Sequence, residues 1–131
     1  MLIYIFSKHF TVFMSTQKEQ KYINLEVLKE ISEGNNDLMR DLIGLFSKQV
    51  PVFIEQMETY LSNNEFELLG KLAHKIKNSV AMMGIEVLVS DMKKLEQLTQ
   101  SNDNADKIKN KVAKFKQISS EALAELKEID L

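Results

Sequence analysis

His74 is the residue that most plainly offers chemistry, and its setting is Ala73-His74-Lys75-Ile76-Lys77-Asn78-Ser79. An imidazole with an ordinary pKa of about 6.5 is largely neutral at pH 7, and its unprotonated nitrogen is a nucleophile. Such a nitrogen can take a phosphoryl group from an acyl phosphate, a transfer in which positioning and nearby positive charge do most of the work. Lys71 and Lys77 stand three residues before and after His74, where one helical turn brings side chains together. A lysine–phosphate pair at ~4 Å is worth ~4 kcal/mol at an effective dielectric of ~20. Exposure to solvent reduces that to ~1 kcal/mol or less. This is enough to bias a reversible transfer and too little to make a permanent sink.

Helical periodicity positions these groups. With residues 66–83 as a helix advancing about 100° per residue, Phe66, Leu69, Leu72, Ala73, Ile76, Val80 and Met83 fall within an arc of about 120°. His74 points roughly 150° from the middle of that stripe, toward solvent. Its neighbours at three or four residues' separation are Gly70, Lys71, Lys77 and Asn78, with Ala81 two turns on. Gly70, Asn78 and Ala81 are small or flat and leave room for a partner surface over the ring. Lys75 points farther round and reads as solvated. Ser79, at the stripe's edge, reads as packing; Gly84 reads as a helix terminator; Met82 and Met83 read as core filler. On these residues alone, a plain surface histidine on a lysine-rich face stays an open reading.

The rest of the chain repeats the amphipathic pattern. Asn24 can cap a short helix over 25–33, with apolar positions Leu25, Leu28 and Ile31, which Gly34 stops. Asn35-Asn36-Asp37 offers the next cap. Apolar residues then recur at Leu38, Leu42, Leu45, Phe46, Phe53, Met57, Tyr60 and Leu61, a long helix with a kink expected at 49–51 because Pro51 lacks a backbone donor. Ser62-Asn63-Asn64 is a tight connection. A further helix spans 85–98, with Ile85, Leu88, Met92, Leu95 and Leu98 or Thr99 on one face. The last spans 105–129, with Ile108, Val112, Phe115, Ile118, Ala122, Leu126 and Ile129 inward. The spacing predicts an all-α fold: an antiparallel up-down four-helix bundle with a short additional N-terminal helix across one end.

Composition limits the function classes. With 131 residues, 44% hydrophobic and 27% charged, the chain is expected to form one globular domain. A net charge of −2 gives no sign of a general nucleic-acid or membrane binder. The absence of cysteine excludes disulfides and thiolate metal sites and fits a reducing cytoplasm. No His or carboxylate cluster has metal-ligand spacing, so no metal site is expected. Residues 1–14, aromatic and β-branched, form an atypical extension with Met14 a candidate alternative start, and the domain is expected over 15–131. That extension has neither the pattern of a secretory signal nor the length of a membrane span.

Ala73-His74-Lys75-Ile76-Lys77-Asn78-Ser79, followed by Gly84, Leu88 and Leu95-Glu96, resembles the signature of histidine-containing phosphotransfer (HPt) domains of multistep phosphorelays. That signature reads Ala-His-x-Leu-Lys-Gly-Ser, then Gly five residues beyond the Ser, and later Leu-Glu. The resemblance runs from about Leu25 to the C-terminus and includes the Leu-Phe-x-x-x-x-Pro stretch at 45–51. It implies that His74 is the phosphorylated residue and Lys77 the phosphate-stabilising lysine, with Ser79 and Gly84 in the matching structural places. Asn78 stands where the family usually has Gly, a departure that bears on partner range and transfer rate. The implied function is a phosphorelay intermediate, taking a phosphoryl group from one receiver-domain aspartate and passing it to another. It is a carrier with no kinase active site and no cofactor of its own, Mg2+ belonging to the partner receiver. The expected partners are receiver domains of response regulators or hybrid kinases, and the expected state is a cytoplasmic monomer. Competing readings are a non-phosphorylated helical module that docks receivers or another partner, and a structural adaptor bundle in which His74 is incidental.

Overall fold

In the computed structural model, which describes residues 20–131, every regular element is an α-helix. The extension expected at 1–14 and the domain start at 15 lie outside the described residues. Helix α1, Leu25–Ser32, begins where the Asn24 side chain accepts the Glu26 N–H at 3.0 Å. It ends at Glu33 and Gly34, whose φ angles of 53° and 77° turn the chain into the left-handed region. Helix α2, Asn36–Ser62, is capped by the Asn35 side chain, which accepts the Leu38 N–H at 3.0 Å. It runs through Pro51 as one helix, and Pro51 lies on the exposed face, where solvent can serve the carbonyl left without a donor. Helix α3 is Phe66–Met82, α4 is Glu86–Leu98 and α5 is Ala105–Lys127, each within two residues of its expected bounds.

Helix α2 packs on α3, α3 on α4, α4 on α5, and α5 returns to α2; α1 packs on α2 and α3. The chain segments between them are short, at 63–65, 83–85 and 99–104. Between the helices lies one apolar core, with Leu28, Met57, Leu69, Ile76, Leu88, Met92, Leu95, Ile108 and Phe115 fully buried. Each such side chain contributes about 1.5–3 kcal/mol relative to exposure.

Two inward faces differ from expectation. On α1, Ser32 is buried, its hydroxyl donating to the Leu28 carbonyl at 2.8 Å, whereas Ile31 is 47% exposed. On α2, Met39 and Val50 join Phe46, Phe53 and Met57 in the core, while Leu38 and Leu45 are exposed. Each exposed leucine precedes a buried residue directly, at 39 and 46, and so lies about 100° off the buried arc. Helix α2 has more apolar residues than one core face can hold, and its neighbours choose the arc.

The turn between α3 and α4 anchors the segment entering α1. The Asn24 N–H donates to the Met83 carbonyl at 3.1 Å. Gly84 has φ 68°, and a Cβ there would stand 2.6–2.9 Å from Asn24 atoms, backbone included. Glycine is therefore needed twice at this position, for its dihedral and for its bareness. The N–H groups of Tyr22 and Ile23 donate to the Glu125 carboxylate on α5 at 3.1–3.2 Å.

Helices α4 and α5 are joined by a buried carboxylate. Lys111 donates to Asp91 Oδ1 at 2.9 Å, and the Lys114 ammonium lies 3.0 Å from Oδ2. Burial pushes the Asp91 carboxyl up, but the two lysines outweigh it and hold it below the ordinary carboxylate range. A carboxyl depressed on folding stabilises above its unfolded-state pKa and loses that contribution as pH falls through the folded value. We expect Asp91→Asn to lower unfolding free energy at pH 7 by about 1–3 kcal/mol, less than a fully buried pair because both lysines reach solvent. Denaturant unfolding at pH 7 and pH 2.5 checks this, and the variant should show a shallower loss of stability on acidification than the parent.

Candidate functional site

His74 sits on α3 with its side chain 63% exposed, and the stripe opposite it, Leu69, Leu72, Ala73, Ile76 and Val80, is buried. The ring is nonetheless held from one side. Its Nδ1 lies 2.7 Å from Oε2 of Glu96 on α4, and the Lys77 ammonium donates to the other oxygen, Oε1, at 3.2 Å. One carboxylate therefore bridges two residues of α3. Lys77 and Glu96 are only 26% and 28% exposed, so the Lys77 ion pair is better shielded than a surface pair.

Burial pushes the Glu96 carboxyl up, yet the hydrogen bonds and charges of Lys77 and His74 prevail and hold it below its ordinary value. At neutral pH Glu96 is therefore a carboxylate, which can only accept. The short contact then requires the proton on Nδ1 of the neutral ring. That leaves the lone pair on Nε2, which has no hydrogen-bond partner among the described residues. An exposed imidazole with its nucleophilic nitrogen unblocked and its other nitrogen anchored is suited to attack an electrophile delivered from solvent.

The other residues singled out in the sequence surround this centre unevenly. Lys71 is exposed, with its ammonium 3.8 Å from Glu67 on its own helix. Asn78, Ala81 and Lys75 are exposed. Ser79 is half-buried, its hydroxyl donating to Gln49 Oε1 of α2 at 3.4 Å. Gly84 lies in the turn after α3 and against Asn24. Gly70 is buried rather than open: the room expected from its small size is occupied by Thr99. Beside the ring an open depression of about 620 Å³ is lined by Glu67, Gly70, Lys71, His74, Glu96 and Thr99, among others. Among the described residues no group of three or more His, Cys, Asp or Glu side chains could hold a metal ion. No helix among them is long and apolar enough to cross a membrane.

Glu96 and Thr99 were not assigned to the site from sequence. Leu95-Glu96 appeared there as a pair, and the signal available was a carboxylate next to a buried leucine on a mixed helix. Which neighbouring helix it faces depends on packing between α3 and α4, which spacing along one helix does not encode.

Against known proteins, a family model described as the Hpt domain matches residues 41–128, a span that includes most of α2 and all of α3, α4 and α5. No curated protein and no solved structure matches.

The anchored ring makes a spectroscopic expectation. In a His9→Gln background, which leaves one imidazole, the ring 15N shifts should report a neutral form dominated by the Nδ1–H tautomer. Glu96→Ala should remove that dominance and release Lys77. Unchanged shifts in Glu96→Ala would show that the carboxylate does not set the tautomer.

Proposed function

The chain belongs to the Hpt domain family, and from that premise we propose that it is a phosphorelay intermediate carrying a phosphoryl group on His74 between receiver domains. The observation that supports this reading most is the exposed His74 ring, anchored at Nδ1 and unpartnered at Nε2 among the described residues. In the proposed step the Nε2 lone pair attacks the phosphorus of a receiver's aspartyl phosphate. The N–P bond forms as the P–O bond to the aspartyl oxygen breaks, and the aspartate leaves as a carboxylate. Donation to a second receiver reverses these changes.

Glu96 keeps the proton on Nδ1 and stabilises the positive character that the ring gains as Nε2 bonds to phosphorus. Lys77 and the more exposed Lys71 are the phosphate-stabilising cations, each worth about 1 kcal/mol or less at this exposure. Asn78 and Ala81 form the partner contact next to the ring, beside the depression whose floor includes buried Gly70, and Ser79 and Gly84 act through packing. Mg2+ held by the receiver would offset charge on the transferring oxygens; no cofactor is assigned to this chain. We read the fold as an antiparallel up-down four-helix bundle, with α1 at one end. The protein acts as a cytoplasmic monomer without a kinase active site of its own.

The test is to mix the full chain with a phosphorylated receiver. The parent should acquire acid-labile, base-stable phosphate, and His74→Gln should acquire none. Lys77→Ala should slow acceptance by about fivefold, the rate equivalent of about 1 kcal/mol. Label on His74→Gln equal to the parent would remove His74 from the role. Receiver binding that survives His74→Ala, with no phosphate detected on the parent, would favour a docking module instead.

A further inference from the structure

Gly70 is buried inside α3, one turn before His74. Its conformation is helical, so it is not there for an unusual dihedral, and glycine in a helix interior is less stable than alanine. The neighbouring helix explains it. A Cβ on Gly70 would stand 2.3 Å from Thr99 Oγ1 and 3.3 Å from Thr99 Cβ, with the Glu96 carbonyl 3.9 Å away. Gly44, also helical, provides the contrast, since a Cβ there would meet nothing within 4 Å. Only one of these two helical glycines is a point of contact between helices.

Thr99 is the residue that closes α4, and its hydroxyl donates to the Glu96 carbonyl at 2.8 Å. The last turn of α4 is thus tied together by Thr99 and pressed against bare α3 backbone at Gly70. From that same turn the Glu96 side chain reaches His74 at 2.7 Å and Lys77 at 3.2 Å, four and seven residues beyond Gly70 on α3. A tight contact between the two helices therefore lies within a turn or two of the bridging carboxylate.

We propose that Gly70 and Thr99 are a positioning pair for the phosphoacceptor, setting the α3–α4 spacing so that Glu96 holds the His74 ring by Nδ1 and leaves Nε2 free. The assignment deepens the phosphorelay reading and rests on it for its functional consequence. Its physical core is independent of that reading. A methyl at position 70 leaves two escapes. Either α4 moves out by about 1 Å, which stretches a 2.7 Å contact beyond hydrogen-bond range, or Thr99 rotates and gives up its bond to the Glu96 carbonyl. Both loosen Glu96.

The experiment uses the full chain, with His9→Gln for the spectra, and two readouts: the His74 ring 15N shifts, and the rate of phosphoryl acceptance from a phosphorylated receiver. Gly70→Ala should reduce the Nδ1–H population and slow acceptance by about ten- to a hundredfold, the scale of a 1 Å misplacement. Adding Thr99→Ala removes the atom that would be 2.3 Å away and leaves one at 3.3 Å, so the double variant should recover both readouts to within about threefold of Thr99→Ala alone. Thr99→Val keeps the shape and removes the donor, and should shift the tautomer balance without threatening the fold. Gly44→Ala should change neither readout. Unfolding curves accompany each variant; if Gly70→Ala does not fold, the comparison of Thr99→Val with the parent decides. Nδ1–H dominance unchanged in Gly70→Ala, or in Thr99→Val where that comparison decides, would overturn the proposal. So would failure of the double variant to recover its spectrum. Tautomer shifts as expected in a parent that accepts no phosphate would instead sink the relay reading and leave the positioning pair standing.

Discussion

One carboxylate organises the face of this molecule that offers chemistry. Glu96 accepts from the His74 ring through one oxygen and from Lys77 through the other, and it stands on α4 while both partners stand on α3. A histidine more than half exposed would ordinarily exchange its proton between two nitrogens and its ring among several rotamers. Anchoring one nitrogen to an ionised acceptor removes both freedoms and leaves the other nitrogen pointing to solvent with its lone pair intact. The same bridge restrains the nearest lysine, whose charge would otherwise swing on a long stem. What looks in sequence like a histidine among independent lysines is a single three-residue unit across two helices.

That unit depends on features with no chemistry of their own. Gly70 lets the end of α4 come against α3, Thr99 ties that end together, and Gly84 turns the chain from one helix into the other while making room for Asn24. On the far side of α4, Asp91 takes Lys111 and Lys114 from α5. Helix α4 is thus held by a polar cluster on each flank and by Leu88, Met92 and Leu95 between them. Its rotation about its own axis, which decides where Glu96 points, is constrained from three directions.

Much of this was legible in the chain. Helix bounds at Asn24, Asn35 and Gly34 follow from caps whose side-chain and backbone preferences are local. The buried arc of α3 came out at Leu69, Leu72, Ala73, Ile76 and Val80, because one narrow apolar stripe leaves a single way to face a core, while Phe66 is only partly buried and Gly70 joins the buried side. Helix α2 was less determinate: its apolar residues cover so wide an arc that Leu38 and Leu45 were expected inward, where Met39 and Val50 stand instead. Packing against α3, α5 and α1 selects among them. The roles of Glu96 and Thr99 were beyond reach for a related reason, since an amphipathic pattern says that a residue is outward and is silent on what stands beside it.

By itself the sequence determined that His74 stands off the apolar seam, that Lys77 lies one turn away, and that the regular elements among the described residues are helices. These are consequences of a 3.6-residue repeat, which any stretch of chain expresses without reference to the rest. Tertiary structure alone decided that a carboxylate from another helix meets the ring, which nitrogen it engages, and that Gly70 serves an interhelical contact. Those outcomes depend on the register and spacing between helices, set by interlocking side chains and bare backbone distant in the chain.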